Sequence, residues 1–150
     1  MTGRGAGLLS FVVMLLGTAR GGERSAIRWR TDETRAIAEA ARSGRPLLVD
    51  AWAEWCAACK LLDRETWSDP RVRDEVGARF VPLRVDLSEE GTSSEERMRS
   101  LGVVALPAVL ICPASRCDGA AARLVGYARP EEMLAFLRGS GTKVPPPSEE

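Results

Sequence analysis

Apolar and polar positions change period several times along the chain. Pro46 to Trp52, "PLLVDAW", is an almost unbroken apolar run that Asp50 alone interrupts. Such a run marks a strand buried on both faces. Val81 to Leu87, "VPLRVDL", alternates apolar and polar residues as a strand does. Leu106 to Cys112, "LPAVLIC", predicts a strand that opens at a proline. Asp118-Gly119 then signals a hairpin turn, and "ARLVGY" returns as the next strand. Ala26 to Trp29, "AIRW", predicts a short first strand.

Helical periods fill the gaps. Thr31 is placed to cap a helix with Asp32 and Glu33 in its electropositive first turn, and Gly44 closes it. A second helix opens at Cys56 and runs through Lys60 to about Trp67. A third starts afresh at the Asp69 cap, with Pro70 at its first position. Its Val72, Val76 and Phe80 recur every four residues and form one apolar face. Thr92 with Glu95, or Ser93 with Glu96, predicts a capping box for a helix that stops at Gly102. In the final helix, "RPEEMLAFLRG", Met133, Leu134 and Leu137 face inward. With the second and third helices taken as one helical stretch, the order βαβαβαββα implies parallel βαβ units closed by an antiparallel hairpin, hence an α/β fold with a mixed sheet flanked by helices.

The chain has 150 residues, which suits one domain, here residues 26–139. Residues 140–150, rich in proline and acid, have the composition of a disordered tail. Apolar residues make up 45% of the chain, enough for a core. Lysine plus arginine number 21, as do aspartate plus glutamate, and a net charge of zero gives no footprint for nucleic acid. There is no histidine, which excludes every mechanism that needs imidazole as acid, base or metal ligand.

At the other end, Leu8 to Leu16 is an apolar centre within an uncharged stretch after Arg4. It is too short for the roughly 20 apolar residues of a membrane span and fits a secretory h-region of roughly 7–15. Gly17 and Ala19 are small residues spaced for cleavage after Ala19. Residues 1–19 thus predict a signal peptide, with a retained N-terminal membrane anchor as the alternative. Export, to the periplasm or beyond, permits disulfides to persist. All four cysteines, Cys56, Cys59, Cys112 and Cys117, lie in the mature part.

Candidate chemistry centres on "VDAWAEWCAACK", Val49 to Lys60. Its two cysteines stand for a redox pair, half of a zinc site or a structural disulfide. A C-x-x-C beside a βαβ pattern reads as a redox motif. This stretch resembles the thioredoxin active site, "LGVVALPAVLI" resembles the segment carrying that fold's cis-proline, and "LVGYARPEEMLAFL" resembles its last strand and helix. Within that superfamily, "AEWCAACKLLDRETWSDPRV" is most similar to the C-terminal periplasmic domain of the thiol:disulfide interchange protein DsbD. The resemblance implies a thioredoxin fold and an exported thiol:disulfide oxidoreductase, more a reductase than an oxidant, without cofactor or metal. It implies disulfide-containing exported proteins as partners, a membrane or periplasmic electron donor, and a monomer.

Roles follow on the matching residues. Cys56, at a helix start where the dipole favours a thiolate, is the nucleophile, and Cys59 resolves the mixed disulfide. The resemblance gives Asp50 the part of a buried proton carrier for Cys59, and Asp63 that of a second acid on the same helix face. It also implies a cis bond at Leu106–Pro107, which frees the Leu106 backbone to pair with an extended substrate segment. Trp55 is expected at the active-site rim, beside Cys56. Ala57 and Ala58 supply no charge between the cysteines, and the missing histidine argues against a strong oxidant. Cys112 and Cys117 flank "PASR" closely enough for a structural disulfide. If Pro107 flanks the active site, about five strand residues at ~3.3 Å each put the second pair too far away to share a metal with the first. An oxidant or isomerase, and a thioredoxin-fold binding or chaperone module with structural cysteines, are the competing readings.

Overall fold

The apolar run that predicts a doubly buried strand occupies the middle of the sheet. In the computed structural model, which describes residues 26–113, 117 and 122–139, this strand is β1, Leu47–Trp52. It pairs in parallel with β2, Val81–Asp86, and antiparallel with β3, Ala108–Cys112. The last strand, β4, Ala122–Val125, adds antiparallel to β3, which gives the order β2-β1-β3-β4. Among the described residues, five helices flank this mixed sheet: α1 Glu33–Ser43, α2 Ala57–Glu65, α3 Pro70–Arg79, α4 Thr92–Leu101 and α5 Pro130–Leu137. The expected signal at 1–19, the Asp118-Gly119 turn and the tail at 140–150 lie outside the described residues.

The pleat of β1 divides the interior. Leu47, Val49 and Ala51 join Ala36 and Ala40 of α1 and Leu101 of α4 on one face. Leu48 turns to the other face, with Leu62 of α2, Val72 and Val76 of α3, and Met133 and Leu137 of α5. Asp50 shares the parity of Leu48, so it faces the α2 side. Its side chain stands where a core residue would be, between the β2 and β3 partners Arg84 and Val109.

Several local expectations are corrected. The first strand shrinks to a single parallel bridge at Arg30, opposite Leu83. The Trp29 N–H turns back to donate to the Ile27 carbonyl at 3.1 Å, so it cannot enter a ladder with β2. Ile27 and Trp29 pack instead into the second core, where Trp29 meets Trp67 edge-on at 5.1 Å. Asp32, not Thr31, caps α1, because its carboxylate accepts from the Arg35 N–H at 3.0 Å. Gly91 begins α4 without a side-chain cap, in place of either capping box. Its φ of 121° is open to glycine and strained for other residues, which fixes the start one residue before Thr92. The proline strand begins at Ala108 rather than Leu106.

Candidate active site

At the C-terminal end of β1 the chain turns sharply, with the Cys56 N–H donating to the Ala53 carbonyl at 3.1 Å. Cys56 then sits as the N-cap of α2, in extended conformation, and its Sγ accepts the Cys59 N–H at 3.1 Å. A sulfur in this place faces the unpaired N–H groups and positive end of the helix, which favours the thiolate once the pair is reduced. In this oxidised state Cys56 and Cys59 are joined, with Cα atoms 5.2 Å apart. A nucleophile is expected to be exposed, but both sulfurs are buried here and differ only in access: Cys56 keeps 6% of its surface and Cys59 1%. The disulfide draws both sulfurs into a small apolar cluster with Ala53, Ala58 and Leu106.

The rim is pinned by a residue that sequence reasoning missed. The Ser88 hydroxyl accepts the Glu54 N–H at 2.8 Å, and the Ser88 carbonyl accepts Trp55 Nε1–H at 3.2 Å. Trp55 thus holds a fixed place next to Cys56 while 62% of it faces solvent. Lys60 is exposed on α2 and Trp52 is partly buried against the cysteine cluster. The Leu106–Pro107 bond is cis. The Pro107 carbonyl accepts the Gly126 N–H at 2.8 Å, while sheet pairing starts only at Ala108. Leu106 therefore lies against the cysteines, outside the ladder.

Behind α2 stands a charged bridge. Asp50 is 1% exposed. Arg84, its register partner on β2, donates Nε–H to Asp50 Oδ2 at 2.9 Å and brings Nη2 within 2.7 Å of it. The same guanidinium donates to both oxygens of Asp63 on α2, through Nη1 at 3.2 Å and through Nη2. Trp29 and Trp52 rings lie 4.8 and 5.6 Å from the guanidinium carbon. Asp50 Oδ1 has no hydrogen-bond partner among the described residues. Burial lifts the Asp50 carboxyl from its usual 3.8 to about 6, although Arg84 pulls it down, and Asp63 adds a small upward push. A carboxyl poised there exchanges protons near neutral pH.

The structure thus brings Cys56, Cys59, Trp55, Leu106 and Pro107 to one end of β1, with Asp50 and Asp63 joined behind α2. Arg84 was missed because the bridge spans 34 residues of sequence. Only the β1–β2 register reveals it; the signal was the one basic residue within "VPLRVDL". Cys112 and Cys117 lie apart from this site. They are joined, with Cα atoms 5.0 Å apart, and Cys112 pairs with Leu47 at the opposite end of β1.

Known proteins resemble this arrangement. The thiol:disulfide interchange protein DsbD of Ralstonia nicotianae is 32% identical over 131 residues, covering 87% of this chain and 21% of that protein. DsbD of Escherichia coli strain K12 is 31% identical over 104 residues, covering 69% of this chain and 18% of that protein. The chain thus spans about a fifth of the length of the curated relatives it matches. Among solved structures, a Thermus thermophilus thioredoxin superposes with TM-score 0.64 at 27% identity, covering 77% of this chain and 87% of that one. The oxidised C-terminal domain of Neisseria meningitidis DsbD superposes with TM-score 0.62 at 18% identity, over 75% of this chain and 98% of that one, a likeness of fold. The thioredoxin-like family matches residues 28–114, more than half of the sequence, and the chain belongs to that family.

Proposed function

We propose that this chain is an exported protein-disulfide reductase working through Cys56 and Cys59. The observation that carries the reading is Cys56 at the N-cap of α2, its sulfur aimed at the helix N–H groups and bonded to Cys59. In the reduced protein the Cys56 thiolate attacks one sulfur of a substrate disulfide. A mixed disulfide forms and the other substrate sulfur leaves as a thiolate, which takes up a proton. Asp50 accepts the proton of the Cys59 thiol. Cys59 then attacks the Cys56 sulfur, and the first substrate sulfur leaves in its turn. The substrate gains two electrons and two protons, and the chain returns to the disulfide seen here.

Substrates are disulfide-containing exported proteins, held as an extended segment beside Leu106 and against Trp55. A dithiol donor in the periplasm or the membrane returns the two electrons. The DsbD relatives, named for thiol:disulfide interchange, support exchange at this cysteine pair. The reducing direction is supported by the uncharged Ala57-Ala58 pair, which gives the Cys56 thiolate no extra stabilisation. A glutathione equilibrium measures the poise. The potential is expected nearer to thioredoxin, about −270 mV, than to a strong oxidant at about −120 mV. A value above roughly −180 mV, or no catalysis of insulin reduction, overturns the assignment.

A further inference from the structure

Opposite the cysteines, at the N-terminal ends of β1 and β2, lies a cleft of about 220 Å³ with no part in thiol exchange. Ile27, Val76, Phe80 and Pro82 make its apolar walls, and four arginines, Arg28, Arg30, Arg45 and Arg73, line it with no carboxylate among the described residues of the lining. They come from separate places: the segment before α1, the turn before β1, and α3. Convergence of like charges from three segments costs free energy unless something of opposite sign offsets it.

One carboxylate stands behind them. Glu39 of α1 accepts Arg30 Nε–H at 3.0 Å and Nη2–H at 2.6 Å, and Arg45 Nη2–H at 3.4 Å on the same Oε1. Arg45 is fixed further, donating Nη1–H to the carbonyls of Phe80 at 3.2 Å and Gly77 at 3.3 Å. Arg30 donates Nη1–H to the Arg28 carbonyl at 2.8 Å. These guanidiniums are therefore held in place by backbone and by Glu39, with little ordering left for a ligand to impose. Arg73 Nε is buried and has no hydrogen-bond partner among the described residues. An unmet buried donor on a cation is costly and is satisfied by an anionic acceptor. The guanidinium fork matches the oxygens of a phosphate, and a phosphate carries up to two negative charges against this excess.

We infer that the cleft between Arg28, Arg30, Arg45 and Arg73 binds a phosphate group. Two sources share that chemistry. One is free phosphate or a small phosphate ester. The other is a phospholipid headgroup, which the alternative of a retained N-terminal anchor favours: the cleft reaches Ala26, ten residues after the end of the apolar run Leu8–Leu16. Either source leaves thiol exchange at the far end of β1 untouched, so the site stands or falls independently of the proposed reductase activity.

The test follows the Nε–Hε resonance of Arg73 in the full chain at constant ionic strength. The probes are inorganic phosphate and, separately, dihexanoyl phosphatidylglycerol below its micelle concentration. A saturable shift with either supports the site, and the probe that saturates at lower concentration identifies the source. In Arg28→Gln/Arg45→Gln the affinity is expected to fall at least about tenfold, since each guanidinium lost removes charge-assisted hydrogen bonds. Arg28→Gln alone, an exposed change that spares the fold, is expected to weaken binding in the same direction. No shift with either probe, the same shift with sodium chloride, or wild-type affinity in Arg28→Gln overturns the inference.

Discussion

Arg84 Nη2 stands 2.7 Å from Asp50 Oδ2, across the parallel β1–β2 register, while its guanidinium also holds Asp63 on α2. A buried acid one strand deep is thereby tied to the helix that carries both redox cysteines. Removing Arg84 takes away the charge that pulls the Asp50 carboxyl down, so burial acts unopposed. In Arg84→Met, the pH inflection in release of the mixed disulfide is expected to move above about 6, and Arg84→Lys is expected to restore part of it. An inflection unchanged in Arg84→Met contradicts this coupling.

Asp50 also links the site to stability. Its folded pKa of about 6 lies above the unfolded 3.8. Below pH ~4 both states are protonated and the group's contribution is fully present. Between those values the unfolded chain gives up the proton that the folded chain keeps, so stability falls as pH rises to about 6 and then levels. Asp50→Asn removes that decline. At pH 7.5 the oxidised variant is expected to be more stable than wild type, by on the order of 2–3 kcal/mol. It is also expected to release mixed disulfides slowly. Urea titrations at pH 4.5 and 7.5 check the sign, and a variant less stable at pH 7.5 contradicts it.

The cysteine motif, the succession of elements from Leu47 onward and the helix breaks were legible because each is local: a spacing, a period, a proline or a glycine. Asp50 stood out as the one charge in an apolar run. Arg84 and Ser88 were not legible, because their partners lie more than twenty residues away and depend on how the strands and loops come together. The first strand misled because Ile27 and Trp29 alternate with arginines as a strand would, yet their apolar side chains serve the core beside Trp67. The cap of α1 shifted by one residue because Thr31, Asp32 and Glu33 all suit a helix start, and only backbone angles choose among them.

Trp55 tests the rim. It is 62% exposed yet hydrogen-bonded to Ser88, a rigid apolar surface next to Cys56. Trp55→Ala is expected to raise KM for protein disulfides several-fold while leaving reaction with a small disulfide nearly unchanged. Stopped-flow reduction of insulin and of dithiobis(nitrobenzoate) compares the two. Equal slowing of both reagents removes Trp55 from substrate capture.

The second disulfide is expected to be structural. Cys112 is fully buried at the end of β3 and Cys117 packs against the same core. Cys112→Ala/Cys117→Ala is expected to lose on the order of 2 kcal/mol, the entropy of a short closed loop, with unaltered turnover per folded molecule. Peptide mapping without reductant checks the bond. Two free thiols, or lost reductase activity in a stable double variant, contradict the assignment.

The most direct test is a trap. Cys59→Ser leaves the Cys56 thiolate able to attack a substrate disulfide but removes the sulfur that would release it. Reduced Cys59→Ser mixed with an oxidised protein substrate is expected to accumulate a mixed disulfide that maps to Cys56 and dissolves with dithiothreitol. Cys56→Ser under the same conditions is expected to trap little. A failure of Cys59→Ser to form the adduct, or faster trapping at Cys59 in Cys56→Ser, would contradict the assignment of Cys56 as the attacking group.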